Sequence, residues 1–317
     1  MNNWRIALAQ KIAPIYANMP DIAAVALLGG VARGLGDQYS DLDLACFWHR
    51  SPIEDERRAA MQQFEPILNT PVFIRGFEAH MAFPDPEHGL FWEEAAYIGG
   101  DDRTGFKIDV NHRTVAAMQC ILEDVTVGLD TDGHKLETLY SIRRVMVLHG
   151  APVIEQWQTQ AAIYPDALAE KLLMMHLPAM GANLDMHLFR GELLEFYRML
   201  TEATFHLVAA LLALNHIYRP DLKRLTSLAD EMLIKPSNLA PRIYALMRND
   251  PTQAMPDFYQ LATEVFALVE QHLPHLDLTA ARAKFLSRRQ PFEDAPIESI
   301  RRGVGGLSDI RTWMILG

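Results

Sequence analysis

The sequence predicts an α+β (α/β) protein: a small mixed sheet with flanking helices over residues 1–128, then an all-helical part over 129–317. Three observations carry this reading. Between about residues 20 and 115, short β-branched or alternating runs are broken by Gly, Pro and Asp clusters, the texture of strands mixed with helices. From Lys135 onward the apolar residues recur at helical spacing almost throughout. Half of the 317 residues are hydrophobic, enough for one large or two modest cores.

Taken in order, a helix is expected over 4–18, strands at 23–28 and 41–48, and a helix over 53–68. Strands at 71–78 and 106–111 and a helix over 114–124 complete the first part. The Asp and Gly residues of 128–133 read as a linker. In the second part Leu136, Leu139, Tyr140, Arg143 and Val147 keep helical spacing. A long helix over 192–216 aligns Leu193, Tyr197, Leu200, Thr204, Leu207, Leu211 and Leu214. Further helices are expected at 221–233, 239–247, 256–272 and 279–287, with Pro256 suited to a first turn.

Charged residues make up 22% and the net charge is −11, an ordinary globular balance that weighs against a broad nucleic-acid surface while leaving room for a local basic groove. The start of the chain carries Arg5 and Lys11 and does not resemble a signal peptide, and the apolar run 207–214 is too short to span a bilayer, so no membrane partner is expected. With two cysteines, Cys46 and Cys120, and no Cys-x-x-Cys spacing, a reduced cytoplasmic protein is the expectation.

The chemistry concentrates in Leu27-Leu28-Gly29-Gly30-Val31-Ala32-Arg33-Gly34, followed by Tyr39-Ser40-Asp41-Leu42-Asp43-Leu44. Residues two apart on a strand share a face, so Asp41 and Asp43 point together while Leu42 and Leu44 turn to the core. Two carboxylates so close repel unless a cation lies between them, and hard oxygen donors suit Mg²⁺. Upstream, Gly29-Gly30 ends an apolar strand, where exposed backbone N–H groups opening into a short helix make an anion site. A phosphate cradle and a divalent-metal site ten residues apart are what a nucleoside triphosphate with Mg²⁺ requires. A third carboxylate is expected if two ions are used, and Asp109, on the polar face of the alternating run 106–111, is the candidate. Asp-x-Asp alone is usually a solvated turn and Gly-Gly after a strand is common; the order of all these features carries the reading.

These residues resemble the signature of the polymerase-β-like nucleotidyltransferases: an apolar residue, Gly-Ser or Gly-Gly, a variable loop, then Asp-apolar-Asp-apolar. The longer string, with Arg33, Asp37, Tyr39 and Ser40, is similar to antibiotic adenylyltransferases of the aminoglycoside and lincosamide type. The resemblance covers 27–44, with weaker support at 106–112 and around Tyr218, Pro220 and Lys223. It implies that Asp41, Asp43 and Asp109 are the catalytic and metal-binding triad holding two Mg²⁺ ions, and that Gly29 and Gly30 contact the terminal phosphates. Gly30 stands where serine is frequent, which removes a hydroxyl. Arg33, Ser40 and Lys223 are further nucleotide-binding candidates, with Arg219 beside Lys223. The implied reaction moves a nucleoside monophosphate, AMP from ATP or the equivalent from another triphosphate, to a small hydroxylated acceptor. Transfer to tRNA or protein, or silent nucleotide binding, are the alternative readings.

Several groups read more plainly. Arg190, Glu192, Glu195 and Arg198 have the one-turn spacing of surface pairs, with a glutamate acting as acceptor base the sharper alternative. His112 either lines the cleft with Asp109 or ends its strand. His176, His187, His272 and His275 lack zinc-site spacing. Gly303-Val304-Gly305-Gly306 has no Lys-Ser or Lys-Thr after it, so it is no P-loop and reads as a flexible closing segment.

Overall fold

Alternation on either side of the glycine turn builds the middle of the sheet. The computed structural model describes residues 3–85 and 87–289; the glycine stretch at 303–306 lies outside them. The strands are β1 (Ile22–Leu27), β2 (Leu42–Trp48), β3 (Val72–Met81), β4 (Leu90–Ile98), β5 (Phe106–Thr114) and β6 (Met146–His149). They form one mixed sheet in the order β3-β4-β5-β2-β1-β6. β2 and β5 run parallel, and every other neighbouring pair is antiparallel.

Helices α1 (Asn3–Ala17), α2 (Gly29–Ala32), α3 (Glu54–Gln62), α4 (Phe64–Leu68), α5 (Val115–Thr126) and α6 (Gly133–Ile142) are threaded among the strands. Then come α7 (Ala151–Ala162), α8 (Asp166–Ala179), α9 (Leu184–Phe189), α10 (Leu193–Leu214), α11 (Leu225–Glu231), α12 (Leu239–Leu246), α13 (Pro251–His272) and α14 (Thr279–Leu286). Among the described residues no helix is long and apolar enough to cross a membrane.

The pleat sorts the sheet's side chains into two cores. Val25, Leu27, Leu42, Leu44, Cys46, Ile108 and Val110 turn to one face, under α1, α3 and α4. Ala24, Ala26, Ala45 and Phe47 turn to the other, whose core runs on through α5, α6 and α7 into the remaining helices. α10 supplies much of that larger core: Leu200, Leu207 and Leu211 are fully buried, while Leu193 at its start is half exposed.

Four sequence expectations need correction. β4 was not anticipated, because adjacent Glu93 and Glu94 break the apolar alternation of its run; Glu94 faces inward and is fully buried. β6 lies in the part expected to be wholly helical, so the sheet takes its edge strand beside β1 from beyond residue 128. The helical spacing ends at Ile142, and Val147 belongs to that strand. α13 starts at Pro251 rather than 256, capped by the Asp250 carboxylate, which accepts from Thr252 N at 2.9 Å. α11 starts at Leu225 rather than 221, which leaves Lys223 ahead of the helix.

The linker expected at 128–133 is tied down. Asp132 caps α6 by accepting from the His134 and Lys135 amides, and the Lys135 ammonium sits 2.7 Å from both Asp124 and Asp130. His112, on the opposite face of β5 from Asp109, is fully buried; its Nδ1 accepts from Trp48 Nε1 at 3.0 Å. It therefore lies in the core beneath the cleft rather than in it.

Candidate metal and nucleotide site

The parallel register of β2 and β5 puts Asp43 directly beside Asp109. Asp41, just before β2, joins them: one carboxylate oxygen from each of the three lies within 4.8 Å of the others. Asp109 is 6% exposed, and its Oδ1 is buried with no hydrogen-bond partner among the described residues. Its Oδ2 is 2.7 Å from the Lys107 ammonium, which projects from the same face of β5.

The electrostatics follow from crowding like charges in a poorly hydrated place. Burial first, then repulsion from Asp41 and Asp109, lifts Asp43 from its ordinary 3.8 to about 7. Burial also raises Asp109, against the pull of Lys107. Such a cluster favours a cation between its members. An unpaired, buried carboxylate oxygen and three hard oxygen donors fit Mg²⁺, and Asp41, Asp43 and Asp109 are the residues that would hold it.

The glycine turn is built around the same carboxylate. Leu28 N donates to Asp43 O at 2.8 Å, and the chain then turns into the single turn of α2. Gly29 has φ +70°, and a Cβ there would meet Asp43 Oδ2 at 2.2 Å. Gly29→Ala is therefore expected to cost at least ~1–2 kcal/mol in stability from the left-handed backbone alone, and to displace Asp43 and abolish turnover. A Cβ on Gly30 would meet only Arg224 Nη2 at 3.5 Å, an ordinary contact. Gly30→Ala is its control and should melt near the parent in a thermal denaturation. Equal melting of the two variants would refute the close-approach account of Gly29.

Cations gather around this turn. Arg33 Nε donates to Gly29 O at 3.3 Å and Nη1 to the Tyr140 hydroxyl at 3.0 Å. Tyr140 in turn donates to Glu231 Oε1 at 3.1 Å, and Arg144 Nη2 lies 2.6 Å from Glu231 Oε2. Arg33, Tyr140, Arg144 and Asp221 line a small cleft of about 100 Å³ beside Gly29. Ser40 Oγ is occupied within its own loop, accepting from Asp37 N at 2.9 Å and donating to Asp37 Oδ1 at 3.1 Å. The Lys223 side chain is 84% exposed, with its ammonium 3.1 Å from Asp221; that carboxylate first, then Asp41 and Asp43, hold its pKa up.

Sequence reasoning missed Arg224, which reaches from the helical half to the metal-side loop. Its Nη2 donates to Asp37 Oδ2 at 3.2 Å and Ser40 Oγ at 3.3 Å, beside Gly30. No local signal separates it from Lys223; the contact exists only across the fold. Lys107 was legible, since alternation along 106–111 sets it on the Asp109 face. A larger cleft of about 380 Å³ is floored by the same sheet face, beginning at Ala45 and Asn111, the next residues on that face after Asp43 and Asp109, and is walled by α6.

No family model matches the chain, and no curated protein matches it. Among solved structures it is similar to a nucleotidyltransferase-like protein from Exiguobacterium sibiricum 255-15, at 10% identity and TM-score 0.37, over 96% of this chain and 89% of that one. It is also similar to the Cid1 poly(U) polymerase with Mg 3′-dATP bound, at 20% identity and TM-score 0.21, over 43% of this chain and 38% of that one. A cytoplasmic RNA terminal U-transferase matches at 18% identity and TM-score 0.18, again over 43% and 38%. At these scores the likenesses establish neither a shared activity nor a shared family.

Proposed function

We propose that the chain is a metal-dependent nucleotidyltransferase that moves a nucleoside monophosphate, AMP from ATP, to a hydroxyl of a small acceptor. One observation carries the reading: three carboxylates from two paired segments of the sheet meet within 4.8 Å beside a glycine turn in which Gly29 leaves no room for a side chain. Mg²⁺, two ions in this reading, supplies charge neutralisation for the triphosphate and lowers the proton affinity of the hydroxyl.

The chain's own residues then have distinct tasks. Gly29 and Gly30 present backbone N–H groups to the terminal phosphates. Arg33 and Arg224 flank that turn and supply the positive charge that neutral amides lack, Arg224 standing where Gly30 has given up a hydroxyl. The acceptor oxygen forms a bond to the α-phosphorus, the α–β bridging P–O bond breaks, and pyrophosphate leaves with that electron pair. The hydroxyl proton passes to Asp109, whose Oδ1 is buried without a hydrogen-bond partner among the described residues. In this reading residues 1–128 carry the carboxylates and the glycine turn, and residues 129–317 close over them with α6, Tyr140, Arg144 and Arg224 while also lending β6 to the sheet. The net charge of −11 disfavours transfer to RNA, since the cations gather at one turn rather than along a groove.

Pyrophosphate release from each of the four triphosphates, with Mg²⁺ or Mn²⁺, across a hydroxylated-acceptor panel tests the reading. Triphosphate binding without release for any acceptor would favour silent binding instead. Within this scheme Arg224→Met should weaken a non-hydrolysable ATP analogue by roughly tenfold, the scale of one charge-assisted contact. Lys223→Ala should weaken it less, because that ammonium is solvated and already paired. Asp109→Asn should bind nucleotide nearly normally yet fail in turnover. Calorimetry on the three variants separates them, and unchanged affinity in Arg224→Met would leave Arg33 as the phosphate cation.

A further inference from the structure

The register of the sheet lays out a floor that continues away from the carboxylates. Asn111 and Arg113 follow Asp109 on the same face of β5, with Ala45 and Phe47 beside them on β2. Glu93 of β4 pairs with Asn111, and Phe91 packs under the Arg113 guanidinium at 5.3 Å from the ring centroid. These six side chains floor the cleft of about 380 Å³, and His134 and Glu137 of α6 wall it. The glycine turn lies beside Asp43, at the other end of the strands from Arg113, and the small cleft beside it meets this one at Glu137 and Ser141.

Among the described residues, two charges on the floor have no hydrogen-bond or ion-pair partner. Arg113 Nη1 is buried without a hydrogen bond, and no ion pair or hydrogen bond to Glu93 is present among the described residues. Burial pulls the guanidinium down to about 10, so it is held charged at neutral pH but poorly solvated. A guanidinium left unsatisfied on an apolar ring is a fork for a carboxylate or phosphate. Glu93 and Glu137 line the same cleft, so a dianionic phosphate would meet two carboxylates, whereas a molecule with one carboxylate and one ammonium answers both signs. The volume is that of a small-ligand site. Four residues of rise separate Asp109 from Arg113 along β5, about 13 Å, which leaves room for a molecule of dipeptide length once a hydrogen bond is allowed at each end.

We propose that this cleft seats the acceptor, and that the acceptor is a hydroxylated zwitterion of dipeptide size, its carboxylate on Arg113, its ammonium towards Glu93 and its hydroxyl at Asp109. The identification rests on the nucleotidyl-transfer reading for the fate of the hydroxyl, but the recognition of the zwitterion does not. A purely cationic, antibiotic-like acceptor leaves Arg113 unanswered and is disfavoured.

The test is calorimetric titration of the intact chain, without nucleotide, with seryl and threonyl dipeptides, their methyl esters, their N-acetyl forms, a polycationic aminoglycoside and a neutral sugar. The free dipeptides should bind, and esterification should weaken them by about ten- to a hundredfold, the loss of one charged hydrogen-bonded pair. Arg113→Met should erase the difference between acid and ester, while changing the affinity for an ATP analogue with Mg²⁺ by less than about twofold. If Arg113→Met does not fold, the acid–ester ratio on the parent protein decides alone. Preference for the aminoglycoside or the sugar, absence of binding by every carboxylated compound, or loss of nucleotide affinity in Arg113→Met would each overturn the proposal. Because the panel is read without nucleotide, a chain that binds the dipeptides but no triphosphate would separate failure of the transfer reading from failure of this one.

Discussion

A folded Asp43→Asn protein is expected to lose nucleotidyl transfer by about a thousandfold, yet to melt higher than its parent when no divalent cation is present. Both effects come from one cause. Asp43 is partly buried, shares its site with Asp41 and Asp109, and has its pKa lifted from 3.8 to about 7. A carboxyl whose folded pKa exceeds its unfolded value contributes stability that is present below the unfolded pKa and lost as pH rises through the folded one. Between about pH 4 and 7 the native protein therefore loses on the order of 1.4 kcal/mol per pH unit through this group. Asparagine keeps the shape and removes the charge, so the stabilising effect of the substitution should be small at pH 5 and largest at pH 8. Mg²⁺ should reverse the ranking, because only the parent has the third carboxylate to bind it. Melting curves at both pH values, with EDTA and with Mg²⁺, read this without an assay of activity. A variant that melts lower than the parent in EDTA at pH 8 would show that Asp43 is an ordinary structural carboxylate.

The legible parts of this molecule are those where one face of an element is wet. Alternation exposes β2 and β5, and a strict two-residue period puts Lys107, Asp109 and Asn111 on one face before any coordinates exist; Arg113 joins them only because β5 runs on to Thr114. What the period does not give is register. That Asp43 stands beside Asp109 follows from β2 and β5 pairing in parallel across the intervening chain of residues 49–105, which holds two other strands. β4 is hidden for a different reason: its inward Glu94 reads as a surface residue until its partner Arg57, from α3, is seen across the core. β6 is too short to show a period at all, and its four residues sit among helical apolar spacing. Arg224 was masked by composition, as one of two adjacent cations ahead of a helix; only the fold distinguishes the one that touches the Asp37 loop from the one that faces solvent.

Beneath the face that carries the three carboxylates lies a polar cluster on which β4 and β5 depend, and breaking it should give the largest stability loss in the protein. Arg57 of α3 and Glu94 of β4 are 3% and 0% exposed and in direct contact, and Arg57 Nη2 also donates to Phe77 O at 3.2 Å. His112 Nε2 lies 2.6 Å from Glu94 Oε2, without the alignment of a hydrogen bond, while its Nδ1 accepts from Trp48. Arg57→Met would leave the Glu94 carboxylate buried and uncompensated, and the expected cost is about 3–5 kcal/mol by urea denaturation. Arg57→Met combined with Glu94→Met should recover most of that loss, since the desolvation of both charges disappears with them. The same cluster sets an acid limit. Burial, then Arg57, depresses His112 to about 3, so its contribution is fully present above the unfolded value of 6.5 and is lost as pH falls towards 3. His112→Asn should flatten that acid limb, at whatever cost in stability at pH 7. A double variant no more stable than Arg57→Met alone, or an acid limb unchanged in His112→Asn, would mean that the cluster is held by packing around Trp48 rather than by its charges.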